Sequence, residues 1–138
     1  LHDALPILLP WDQHIAAAFP AFGIHNCAWN VDPYIEDYAA VRSLGYIDMG
    51  IMSDLARAKQ LCPDARRAVM YTPTDLANKS HEELRADIRR IARELAPCDI
   101  VMADIDAEVP DSRVSEFDGI VRDILGHSTT NVESSPTI

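Results

Sequence analysis

The spacing of apolar positions switches repeatedly along the chain. Residues 22–27 (FGIHNC), 46–50 (YIDMG), 68–71 (AVMY) and 99–104 (DIVMAD) are short, mostly apolar runs of strand length. The segments between them carry helical spacing. Residues 12–18 predict a helix that Pro20 stops. Asp32 followed by Pro33 predicts an N-cap with proline in the first turn, then a face of Ile35, Tyr38 and Ala39 closed by Gly45. Ser53 predicts the cap of a helix reaching Leu61, ended by Pro63. Ser80 with Glu83 reads as a capping box, and Leu84, Ile88, Ile91, Ala92 and Leu95 follow at helical spacing. Val114, Phe117, Ile120, Val121, Ile124 and Leu125 give a final amphipathic helix.

Four strand–helix units in a row predict an α/β fold with parallel pairing and right-handed crossovers. Two architectures fit: a doubly wound open sheet, or about half of an eight-stranded barrel. The expected boundaries are a truncated or extraneous edge over residues 1–10, one domain over 11–126 and a polar, disordered tail over 127–138 (HSTTNVESSPTI). With 48% hydrophobic residues among 138 the chain can bury a core. A formal net charge of 12 − 22 = −10 argues against nucleic acid and anionic membrane surfaces as partners. No apolar run approaches the roughly 20 residues of a membrane-spanning helix. Three cysteines, Cys27, Cys62 and Cys98, make no disulfide framework, so a cytoplasmic location is expected.

Both architectures put function at the carboxyl ends of strands, and this sorts the polar residues. His25 and Cys27 lie at the carboxyl end of the first strand, and their spacing of two puts both side chains on one face. Asp48 is a carboxylate inside an apolar strand and the candidate catalytic group, with a helix-capping or loop-bridging role as the plain alternative. Asp104 and Asp106 share the acidic face of the last strand, or else form turns before Pro110. These five residues are expected to converge on one mouth. Cys62 and Cys98 sit at the amino ends of strands and read as buried or half-buried. Glu108, His2, His14, His81 and His127 read as surface positions, and Trp11, Trp29 and the methionines as packing. A His-x-Cys pair is by spacing alone a weak metal signal, because structural zinc uses four ligands.

IHNCAW, YIDMG, MYTPTDLANKSHEEL and CDIVMADIDAEVPDSRVSEF, in this order, resemble the carboxyl-terminal half of the uroporphyrinogen decarboxylase superfamily. The likeness runs from Phe22 to Leu125 and rests on the order and spacing of four motifs. It implies the C-terminal part of a TIM-type (β/α)8 barrel, left incomplete in this chain. In the branch of zinc-dependent methyltransferases it implies that His25 and Cys27 bind zinc, which activates a thiol to take a methyl group from a corrinoid protein partner. Relatives place a further cysteine where this chain reads ADIDAE, so Asp104 or Asp106 would take its place. The decarboxylase's Gly-His-Gly after the last strand is missing, and its substrate-binding arginines lie in a half not represented here. Three expectations follow: a fragment of a zinc methyltransferase, a decarboxylase-like tetrapyrrole enzyme, or a non-catalytic binding module. An exposed inner face would also favour pairing of two copies.

Overall fold

A computed structural model describes residues 5–27 and 30–126. The elements are α1 (Leu5–Ala16), β1 (Phe22–Ile24), α2 (Ile35–Ala39), β2 (Leu44–Gly50), α3 (Leu55–Leu61), β3 (Arg66–Met70), α4 (Pro73–Asn78), α5 (His81–Glu94), β4 (Asp99–Val101) and α6 (Asp111–Leu125). The four strands form one sheet in the order β1-β2-β3-β4, with every pair parallel. Strands alternate with helices as the change of period predicts. Among the described residues the outer edges of β1 and β4 have no strand partner.

Strand alternation separates two faces. Ile47, Met49 and Val69 are fully buried and join Leu55, Ala58, Leu84, Ile88, Ile91 and Ile120 in one core. Burying each of the larger of these side chains contributes about 1.5–3 kcal/mol. Tyr46, Asp48, Ala68 and Met70 lie on the other face, since Tyr46 pairs with Arg66, Asp48 with Ala68 and Gly50 with Met70. At the amino ends of the strands Arg67 is 6% exposed and donates to the carbonyls of Cys62, Pro63, Ala65 and Pro97. A cation there offsets the negative end of α3 and ties it to the loop before β4.

Helix α5 begins as the sequence predicts. Ser80 Oγ accepts from Glu83 N, and the Glu83 carboxylate accepts from Ser80 N. Elsewhere the caps differ from expectation. Helix α2 starts after Tyr34 with no side-chain cap and ends at Ala39, well short of Gly45. Asp32 instead accepts from Asp54 N at 2.7 Å, tying the loop before α2 to the start of α3. Asp54 caps α3 through Arg57 N, while Ser53 is fully buried and its Oγ accepts from Val31 N at 3.1 Å. Gly45 belongs to β2, where Ala21 approaches so closely that an added Cβ would lie 3.1 Å from the Ala21 Cβ. Thr72 and Pro73 open a short helix, α4, between β3 and α5. Helix α1 begins at Leu5 and carries Pro10 inside it, so it starts within the stretch set aside as an edge. Trp11 is 65% exposed and Met52 76%, so neither is a core residue among the described ones. His2, Trp29, His127 and the tail over 127–138 lie outside the described residues.

Candidate functional site at the carboxyl ends of β1 and β2

β1 stops at Ile24, three residues earlier than expected. His25 and Cys27 therefore do not meet by strand alternation. Cys27 adopts φ 44°, in the left-handed region that costs a non-glycine residue about 1–2 kcal/mol. That turn brings Cys27 Sγ to 2.9 Å from His25 Nε2. On the other side of the ring, His25 Nδ1 lies 2.6 Å from Asp48 Oδ2. The carboxylate is 2% exposed and the imidazole 55% exposed.

Four hydrogen bonds hold Asp48. Its Oδ1 accepts from the Asn26 main-chain N–H at 2.6 Å. Its Oδ2 accepts from His25 Nδ1 and, at 3.1 Å, from the Tyr46 hydroxyl. Its backbone carbonyl accepts from Asn26 Nδ2 at 2.7 Å. Asn26 thus clamps the end of β1 onto β2 just beyond the last ladder pair, Ile24 with Ile47. A buried carboxylate is tolerated when it is hydrogen-bonded, and here both oxygens are, through three bonds. Asp48 bridges β2 to the loop after β1 through these bonds.

The hydrogen pattern follows from the donors. A carboxylate only accepts, so the 2.6 Å contact with Asp48 puts a hydrogen on His25 Nδ1. Nε2 is then either a lone pair accepting the Cys27 S–H or an N–H donating to the Cys27 thiolate. Asp48, His25 and Cys27 thus stand in series, the imidazole bridging the buried carboxylate and the exposed thiol. Burial, then the neighbouring Asp48, push the Tyr46 hydroxyl up to about 12, so it remains a donor across the working pH range.

The other cysteines are suppressed. Cys62 is buried and desolvation raises its thiol. Desolvation first, then Asp99, push the Cys98 thiol up to about 11. Cys27 is the exposed thiol among the described residues.

The acidic residues of ADIDAE are placed differently from expectation. β4 ends at Val101, so Asp104 and Asp106 lie in the following loop. Both are exposed; Asp104 has φ 57°, and Asp106 Oδ1 accepts from Glu108 N. They are turn-formers. β4 and β1 are opposite edges of the sheet, about 14 Å apart at roughly 4.8 Å per strand. Among the described residues no group of three or more His, Cys, Asp or Glu side chains is placed to hold a metal ion. Asp104 and Asp106 therefore do not complete a ligand set with His25 and Cys27. Tetrahedral zinc would also hold nitrogen and sulfur about 3.5 Å apart, whereas Nε2 and Sγ stand at 2.9 Å, a hydrogen-bond separation. The described residues do not by themselves make a zinc cage.

Asn26 and Tyr46 were not singled out by the sequence. Tyr46 was accessible in principle, standing two residues before Asp48 on the same strand face. Asn26 was not, because its role depends on where β1 stops.

No helix among the described residues is long and apolar enough to cross a membrane. Comparison with protein-family models, with curated proteins and with solved structures finds no match for the chain.

Proposed function

We propose that this chain carries the reacting centre of a group-transfer enzyme, with Cys27 as the nucleophile, His25 as its base and Asp48 as the group that orients the base. The observation supporting this is the unbroken series Asp48 Oδ2, His25 Nδ1, His25 Nε2, Cys27 Sγ at 2.6 and 2.9 Å. His25 takes the thiol proton as sulfur attacks an electrophilic carbon. The leaving group departs with the bonding pair, and the imidazolium returns the proton to it. The four parallel β/α units are read as part of an eight-stranded barrel, with this centre at the mouth formed by the strand carboxyl ends.

A second reading keeps the superfamily resemblance: zinc-dependent transfer of a methyl group from a corrinoid protein to a thiol. What favours it is an imidazole nitrogen and a sulfur converging beside a carboxylate that orients the ring, an arrangement common around metal-binding histidines. It needs further donors from outside the described residues.

Alkylation by iodoacetamide at neutral pH separates the readings. Cys27 is expected to react first, with Cys62 and Cys98 modified only on unfolding. His25→Gln should slow Cys27 by about ten-fold or more, since general-base assistance contributes about 10²–10⁴-fold to such steps. A Cys27 that reacts no faster than a thiol of the unfolded chain overturns the first reading. Stoichiometric protection of Cys27 by micromolar zinc, lost in His25→Gln, supports the second.

A further inference from the structure

We propose that Tyr46 is a positioning residue of this centre: its hydroxyl and the Asn26 main-chain N–H together fix the Asp48 carboxylate so that His25 keeps hydrogen on Nδ1 and turns Nε2 on Cys27. The inference rests on reading Cys27 as the reactive thiol.

The terminal torsion of an aspartate is broad, so a carboxylate held at one oxygen rocks about its Cβ–Cγ bond. Here the Asn26 N–H holds Oδ1 and the Tyr46 hydroxyl holds Oδ2 from a second direction. With both in place, Oδ2 meets His25 Nδ1 at 2.6 Å. The imidazole needs that fixed acceptor. It is half exposed, and the tautomer of a histidine is set by whatever its other nitrogen is bonded to. Water accepts from either nitrogen; a fixed carboxylate selects one.

The platform beneath Tyr46 is stiff. Tyr46 pairs with Gly23 of β1 and with Arg66 of β3, so β2 is laddered on both sides at this point. Tyr46 and Asp48 lie on one face two residues apart, and strand geometry rather than loop geometry sets their separation. Side chains on regular elements hold such groups to the tolerance that chemistry needs. A tyrosine present only to fill space would be replaced by phenylalanine without consequence for His25.

The test is Tyr46→Phe, read by the ring ¹⁵N–¹H correlation spectrum of His25 and by the alkylation rate of Cys27 with iodoacetamide. The His25 signals are assigned by their loss in His25→Gln. The wild-type protein is expected to show hydrogen on Nδ1. Tyr46→Phe is expected to show a mixture with the Nε2–H form and a Cys27 rate lower by about ten-fold, the loss of one hydrogen bond to a charged group. A wild-type spectrum with Nδ1 bare overturns the proposal whether or not the variant folds. An unchanged spectrum and rate in a folded Tyr46→Phe overturns the role of Tyr46 alone. A wild-type Cys27 as slow as an unfolded thiol overturns the underlying reading instead, and the spectrum remains a separate result.

Discussion

Single side chains in this molecule often serve elements other than their own. Ser53 looks like a helix cap in the sequence, yet its hydroxyl accepts from the Val31 N–H, and both residues are buried. The cap falls to its neighbour Asp54. The two roles differ in cost. Ser53→Ala leaves a buried N–H without a partner, which costs about 1–3 kcal/mol. Asp54→Ala removes an exposed cap and costs about 1 kcal/mol. Urea denaturation of both variants checks the order; equal losses would mean that water reaches Val31 N in the folded state. The same distinction governs the site. His25, Cys27 and Asp48 are each legible as residue types with chemistry, but their meeting depends on the left-handed turn at Cys27 and the clamp from Asn26.

At the scale of elements, local pattern succeeded where the signal lies within one helix. The capping box of α5 and its buried Leu84, Ile88 and Ile91 follow from the order of residues alone. Ser80→Ala is expected to lower stability by about 1 kcal/mol, with loss of helicity confined to the first turn of α5. Amide hydrogen exchange reads this as faster exchange at Glu83 and Leu84; a uniform increase along α5 would show that the cap holds the whole helix. Strand ends were less legible. β1 and β4 are three residues each, both shorter than their apolar runs. A strand lasts only as long as its neighbour offers a ladder partner, and that limit is set across the sheet.

The molecule as a whole carries a pH limit on its alkaline side. Tyr46 is raised to about 12, by burial first and then by Asp48. Tyr71 is raised further, by burial first and then by its hydrogen bond to Asp87 at 2.6 Å. An unfolded tyrosine ionises near 10. A group raised in the folded state contributes stability that is complete below the unfolded value and lost as pH rises through the folded one. Stability is therefore expected to hold to about pH 9 and to fall from about pH 10 upward. After allowance for solvent screening the combined loss is on the order of 1–2 kcal/mol. Urea midpoints at pH 8, 10 and 11 check this, and a double Tyr46→Phe, Tyr71→Phe variant should flatten the fall. A wild-type midpoint constant to pH 11 would refute it.

The sequence by itself determined the alternation of strands and helices, the parallel sheet, the helical core faces and the residue types gathered at the carboxyl ends of the strands. These depend on periodicity and on contacts a few residues apart. The tertiary structure decided which of those residues meet. It joined Asp48 to His25 across two strands, added Tyr46 and Asn26, and left Asp104 and Asp106 in a loop beyond the opposite edge of the sheet. Such meetings are set by where strands end, how they register and which backbone turns the packing enforces, and none of these is a property of a short stretch of chain.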